Sequence, residues 1–224
     1  MYNWNSKIKT DLLNKIESYL IKIRSPKVYE KGEYVFKQGE KSKYFYFLKS
    51  GSTKTFTTSE NGDEKTVFIL RKKGIFATST FFVGGYRNSS AIALSKSEII
   101  AIDNSMVDIL IRKEPLFALA IIQDMSRDIN HMMEDIKNNT FLEAKQKLAL
   151  FLKKNIEDKN YLVEDGIIKI KYSQEEIGKI LGVSRVTINK ILAEFRRNGW
   201  IDTKYRAISV LNDKAILKLS DIII

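Results

Sequence analysis

Eight side chains in the last third of the chain have the types and spacing for contact with nucleic acid. Ser184, Arg185, Val186, Thr187, Asn189 and Lys190 fall within seven consecutive positions, and Arg196 and Arg197 follow. The guanidinium, ammonium, amide and hydroxyl groups suit hydrogen bonding to base edges and phosphates. They do not form a nucleophile–base pair, and no glycine-rich phosphate loop accompanies them.

The elements that must position these groups are legible nearby. Ser173-Gln174-Glu175-Glu176 has the form of a capping box, in which the serine accepts from the N–H three residues on and Glu176 reaches back. Ile177, Ile180 and Leu181 give that helix its buried side, Gly182 allows a tight turn, and Ser184 caps a second helix running to about Asn198. Ile188, Ile191, Leu192 and Phe195 repeat at i, i+3, i+4 and i+7, so the second helix buries one face and projects Arg185, Val186, Asn189 and Lys190 from the other. The N-terminal part of such a helix is the part that meets base edges in a major groove. Arg196, Arg197, Lys204 and Arg206 suit phosphate contacts from the helix end and a following β-wing. Six Lys or Arg stand between Ser184 and Arg206 against Glu194 and Asp202 alone. The alternative is a structural helical hairpin with a solvated basic face.

Upstream, Ala118, Ile122, Met125, Ile129, Met132 and Ile136 alternate steps of four and three after Pro115. This heptad seam predicts a dimerising helix, with Asp124, Arg127, Asp128 and Asp135 in flanking positions. The alternatives are an ordinary core helix, or one face on a partner and one on the preceding domain. Asn138-Asn139-Thr140 is the expected hinge, followed by a helix over about 141–154 and a hairpin turning at Asp165-Gly166. Between Val28 and Ile102, short runs rich in Val, Ile, Phe, Tyr and Thr alternate with glycine-bearing turns, the strongest at Asn61-Gly62. That texture predicts a small barrel or β-roll. An amphipathic helix over 6–20, with Ile8, Leu12, Ile16 and Leu20 on one side, precedes it.

Composition sets outer limits. The 224 residues carry a formal charge of +11, which favours a polyanionic partner, and 44% hydrophobic residues, enough for a sizeable core. The absence of cysteine removes disulfides, thiolate catalysis and cysteine-held zinc or iron–sulfur sites. The N-terminal residues lack the apolar stretch of a signal peptide, and the longest purely apolar run, Leu116 to Ile122, is too short to span a bilayer. A soluble cytoplasmic protein without catalytic residues, metal or resident cofactor is the expectation. His131, the sole histidine, gives only weak support to haem.

The sequence resembles the Crp–Fnr family of bacterial regulators over nearly its whole length. Gln174-Glu175-Glu176-Ile177-Gly178, Gly182-Val183-Ser184-Arg185-Val186-Thr187 and Ile191-Leu192 match the family's helix-turn-helix. Lys31-Gly32-Glu33, Gln38-Gly39-Glu40 and Ser50-Gly51 match its β-roll. The resemblance implies an α+β fold in three parts. These are a cyclic-nucleotide-binding-like β-roll with its N-terminal helix (1–114), a dimerisation helix and hinge (115–139) and a winged helix-turn-helix (140–224). It implies a homodimer on an inverted-repeat operator in double-stranded DNA, a contact with RNA polymerase, and Arg185 as the reader of guanine, to which arginine can donate twice. Val186 stands where the family's founding member has glutamate, so the operator should differ at that base pair.

The effector cassette departs further. Cyclic-nucleotide binders carry Gly-Glu for the ribose and Arg-Ser or Arg-Thr for the phosphate. Alignment on Gly74 and Ala91 puts Thr78-Ser79 and Ser89-Ser90 there, with Arg87 two residues early, and Met132-Met133 replace the hydroxyl pair that meets the adenine. With Phe68 and Phe76, these residues form the candidate effector pocket, remade for a small, mostly apolar or aromatic molecule rather than cyclic AMP. The competing expectation is a constitutive DNA binder whose β-roll is a scaffold.

Overall fold

The computed structural model describes residues 6–157, 161–164, 167–204 and 206–221. The chain divides into two compact units, Met1–Met132 and Met133–Ile224.

The first unit begins with α1 (Ser6–Ile23), followed by β1 (Lys27–Tyr29), β2 (Tyr34–Phe36), β3 (Phe45–Ser50), β4 (Thr53–Thr58), β5 (Glu64–Leu70) and β6 (Gly74–Phe76). The short helix α2 (Ser79–Val83), strands β7 (Ser90–Ala93) and β8 (Ser97–Ile102), helix α3 (Asn104–Lys113) and the start of α4 (Leu116–Phe141) complete it. The strands form two antiparallel four-stranded sheets, ordered β1-β8-β3-β6 and β2-β7-β4-β5. This is the expected β-roll.

The period of two along β3 explains the layering. Phe45 and Phe47 join a core with Leu12, Ile16 and Leu20 of α1, Leu110 of α3 and Phe117 and Ile121 of α4. Tyr46 and Leu48 point the other way, into a core with Phe36, Leu70, Phe76 and Ile99. Between β4 and β5 the register closes at Thr58↔Glu64. Gly62 alone of the predicted turn pair takes a positive φ, 86°.

The helix after Pro115 has two faces. Phe117, Ala120, Ile121 and Asp124 are buried, while Ile122, Ile129, Met132 and Ile136 are 56–59% exposed. Of the three expectations for this helix, the one with two working faces has the required geometry. Asp124, expected in a position flanking the seam, is buried, bonded to Arg127 at 2.8 Å and accepting from Thr78 Oγ1 at 3.5 Å. Its spacing from Phe117, Ala120 and Ile121 is that of the inward face. The hinge expected at Asn138-Asn139-Thr140 is instead the last turn of α4; the break falls at Leu142 and Glu143. Helix propensity of polar residues is a weak signal against continuing backbone hydrogen bonds.

The second unit contains the end of α4 and then α5 (Ala144–Glu157), β9 (Leu162–Glu164), β10 (Ile167–Ile170), α6 (Gln174–Leu181), α7 (Arg185–Arg197), β11 (Ile201–Lys204), β12 (Ala207–Val210) and α8 (Asp213–Asp221). Its antiparallel sheet is ordered β11-β12-β10-β9. The turn expected at Asp165-Gly166 lies outside the described residues, and β9 and β10 pair on either side of it. One core unites Leu148 and Leu152 of α5, Ile177 of α6, Ile188, Leu192 and Phe195 of α7, and Ile201, Ile208 and Ile216 beyond.

Candidate nucleic-acid interface

Local chemistry builds α6, the turn and α7 in sequence. Ser173 Oγ accepts from the Glu176 N–H at 3.1 Å, and the Glu176 carboxylate accepts from the Ser173 N–H at 2.7 Å, closing the capping box. Burial works against the Glu176 charge, but the Ser173 backbone and hydroxyl and the Arg206 guanidinium outweigh it and hold the carboxyl below its usual range. Gly182 ends α6 in the left-handed region at φ 65° and ψ 37°. Gly178 is needed for a different reason: a Cβ there would sit 2.7 Å from the Val183 carbonyl oxygen, so only glycine lets the turn close over α6. Ser184 then accepts from the Thr187 N–H at 3.1 Å and caps α7, while its hydroxyl also meets that of Thr187 at 2.8 Å.

Ile188, Ile191, Leu192 and Phe195 bury one face of α7, as their spacing requires. Ser184, Arg185, Val186, Asn189, Lys190, Arg196 and Arg197 are exposed, and Thr187 is half-buried. Ion pairs among the described residues of the second unit include Lys145 with Glu194, Lys154 with Glu134, Lys179 with Glu175 and Arg206 with Glu176. Among the described residues, none of these pairs takes Arg185, Lys190, Arg196 or Arg197. Arg185, Lys190, Arg196 and Arg197 thus face solvent without ion-pair partners, while the hydroxyls of Ser184 and Thr187 meet each other. Arg206 differs. It stands at φ 53° in the β11–β12 turn and is committed to Glu176 at 2.9 Å, so it braces the wing against the cap of α6. Lys204 remains exposed on the wing.

The residues expected to hold an effector are less unified. Phe76, Thr78 and Ser90 are buried, Phe68 and Ser89 are half-buried, and Ser79, Met132 and Met133 are exposed. The hydroxyls of Thr78 and Ser90 already have protein partners: Thr78 donates to Asp124, and Ser90 accepts from the Gln38 N–H at 2.9 Å. Phe68 meets His131 edge-on, with ring centroids 5.8 Å apart. Arg87, out of register with the family's phosphate arginine, is buried. Its guanidinium donates to the carbonyl of Ala77, the hydroxyl of Thr80 and the carbonyl of Tyr44. No periodicity reveals this, because the partners come from two separated segments, one at Tyr44 and one at Ala77 and Thr80.

No helix among the described residues is long and apolar enough to cross a membrane. Residues 26–114 match the model of the cyclic nucleotide-binding domain, and residues 146–219 match that of the Crp-like helix-turn-helix domain. A CRP-like cAMP-activated global transcriptional regulator of Mycobacterium tuberculosis is 23% identical over 201 residues, 89% of each chain. The fumarate and nitrate reduction regulatory protein of Escherichia coli is 27% identical over 202 residues, 88% of this chain and 79% of that one. Among solved structures, a CRP/FNR-family transcriptional regulator of Thermus thermophilus superposes with a TM-score of 0.76 at 20% identity, over 88% of this chain and 98% of that one. The c-di-GMP responsive global regulator of Xanthomonas campestris gives 0.80 at 16% identity, with the same coverage.

Proposed function

The chain belongs to the Crp–Fnr family of DNA-binding transcription regulators, and we propose that it works as a homodimer on an inverted-repeat operator, gated by a small effector other than cyclic AMP. The observation that carries the dimer is the unpartnered stripe of Ile122, Ile129, Met132 and Ile136 along α4, with Ala118 and Met125 continuing it inward. Apolar side chains at heptad spacing on a helix whose other face is already buried are the surface a second copy covers. A two-fold pair then presents two α7 helices to half-sites about one helical turn, ~34 Å, apart. Arg185 reads a guanine in each, with Ser184, Val186, Thr187, Asn189 and Lys190 beside it, and Arg196 and Arg197 hold phosphates. RNA polymerase is the expected further partner of the promoter-bound dimer.

Charge separates the effectors that this domain suits from those that it does not. A cyclic phosphate needs a cationic partner once it leaves water, and the aligned positions Ser89 and Ser90 offer neutral hydroxyls, as Thr78 and Ser79 do in place of the ribose-binding carboxylate. Among similar proteins the effector varies, cyclic AMP being named for the M. tuberculosis regulator and c-di-GMP for that of X. campestris. Phe68, Phe76, Met132 and Met133 favour a small apolar or aromatic molecule, methionine being able to repack around varied shapes. The engaged hydroxyls of Thr78 and Ser90 favour the second reading, a ligand-free scaffold.

Ile129→Asp tests the dimer: it places a charge in the stripe and should give monomers by sedimentation, with operator affinity down by two orders of magnitude or more. An unchanged dimer rejects the assignment. Calorimetry with cyclic AMP and cyclic GMP should give no micromolar binding.

A further inference from the structure

The first unit contains a buried positive charge that no carboxylate neutralises. Arg87 is 4% exposed, and its three hydrogen bonds go to neutral oxygens: Ala77 C=O at 3.1 Å, Thr80 Oγ1 at 2.8 Å and Tyr44 C=O. Its guanidinium carbon lies 4.2 Å from the centroid of the Phe36 ring and 5.6 Å from that of Tyr46. Among the described residues, the ion pairs of this unit do not include Arg87; Glu40 influences it only through its field. Burial lowers its pKa, yet a guanidinium keeps its proton in any protein, so the cost of burying the charge persists.

This charge borders a cleft of about 360 Å³. Small-molecule sites begin at about 300 Å³. Phe36, Tyr44 and Tyr46 give it aromatic walls, and Lys41, Lys43 and Glu40 complete its lining. Three cations thus face one anion. A structural strut would not gather two further lysines around a cation already short of negative charge, because each raises the repulsion. The walls are also held in place. Gly39 N–H donates to Arg87 C=O at 2.8 Å, Arg87 N–H to Glu40 C=O at 2.8 Å, and Ser42 N–H to Gly85 C=O at 3.0 Å, so the two loops form a short ladder. Ala77, whose carbonyl accepts from Arg87, stands at φ 63°, a strained conformation for a residue with a Cβ.

We infer that this cleft binds a small aromatic anion, a carboxylate or phosphate monoester on a flat ring. The anionic head sits among Arg87, Lys41 and Lys43, and the ring lies against Tyr44. None of the eight residues assigned above to the effector pocket lines this cleft. Phe76 is reached only through its stack on Tyr46, with centroids 5.4 Å apart. Occupancy of this cleft goes beyond the proposed function and does not depend on whether it alters DNA binding.

Calorimetry on the full chain with benzoate and phenyl phosphate tests it, with benzyl alcohol as the neutral control. Saturable binding of one or both anions, and none of the alcohol, is expected; which anion binds identifies the head group. Lys41→Ala/Lys43→Ala changes only exposed side chains and should weaken that binding about ten-fold or more, with an unaltered melting curve in the absence of probe. Arg185→Ala/Arg197→Ala should bind as wild type does. Absence of saturable binding at millimolar anion overturns the inference. So does binding that survives the lysine changes but is lost with the arginine changes, since the anion then sits on the nucleic-acid face.

Discussion

At the start of α7 Ser184 and Arg185 are exposed and free of ion-pair partners, whereas between Gly74 and Ser90 the side chains of Thr78, Arg87 and Ser90 are buried and engaged. Both stretches were expected to touch a ligand, and both contain an arginine. Arg185 stands on a capped helix whose orientation four apolar residues fix, so its side chain is left to whatever approaches from solvent. Arg87 is drawn inward by the carbonyls of Ala77 and Tyr44 and the face of Phe36. The difference teaches that a functional polar group is read most safely where a local motif aims it outward. Where long-range acceptors compete for the group, alignment register alone misleads.

Arg87→Met should have the largest effect on stability. It takes the guanidinium donor from two part-buried carbonyls and from the Thr80 hydroxyl and removes the cation stacked on Phe36, so the first unit should lose about 3 kcal/mol, read as an earlier calorimetric transition. Operator sequence preference should not change. A melting curve like that of the wild type would erase the contrast drawn above.

Arg185→Ala is the converse case. Its stability should stay within about 0.5 kcal/mol of wild type, as for other exposed substitutions. Operator binding should lose ~1–3 kcal/mol, with preference relaxed at one G·C pair per half-site. Selection of bound sequences decides the matter: an unchanged consensus would mean that α7 does not read bases through this residue. Arg197→Ala sharpens the same contrast within one helix, because a phosphate contact should weaken all sequences alike and flatten the salt dependence.

The smallest effect concerns the cap that aims α7. The folded pKa of Glu176 lies below its unfolded value, near 4.5, so its contribution is present above that value and fades as pH falls through the folded pKa. The stability difference between wild type and Glu176→Gln should therefore shrink steadily from pH 6 toward pH 3, as followed by chemical denaturation. A difference independent of pH would mean that the carboxylate charge plays no part in the cap.

The β-roll, the heptad-bearing helix and the helix-turn-helix were legible because each repeats a short-range rule. The β-rich runs between glycine-bearing turns from Val28 to Ile102, apolar steps of three and four along α4, and the Ser173–Glu176 box each involve residues within a few positions of one another. Boundaries were less legible. Three polar residues in a row suggested a break, yet α4 runs through Asn138, Asn139 and Thr140 to Phe141 because its backbone hydrogen bonds continue. Asp124 was legible only as a residue flanking the heptad seam. A second spacing, shared with Phe117, Ala120 and Ile121, carries it into the core, where Thr78 and Arg127 meet it.

The amino-acid sequence by itself determined the order of the elements, the buried faces of α1 and α7, the capped turn between α6 and α7, and the surplus of positive charge around them. These follow from local backbone preferences and from the periodicity with which apolar side chains leave water. Tertiary structure alone decided the fate of individual polar groups: that Arg87 is buried beside an aromatic cleft, that Arg206 is tied to Glu176, and that Thr78 and Ser90 already have partners. The physical reason is that hydrogen bonding acts over about 3 Å in space and is blind to separation along the chain. The partners that decide whether a polar side chain is free or spoken for are fixed only once distant segments have come together.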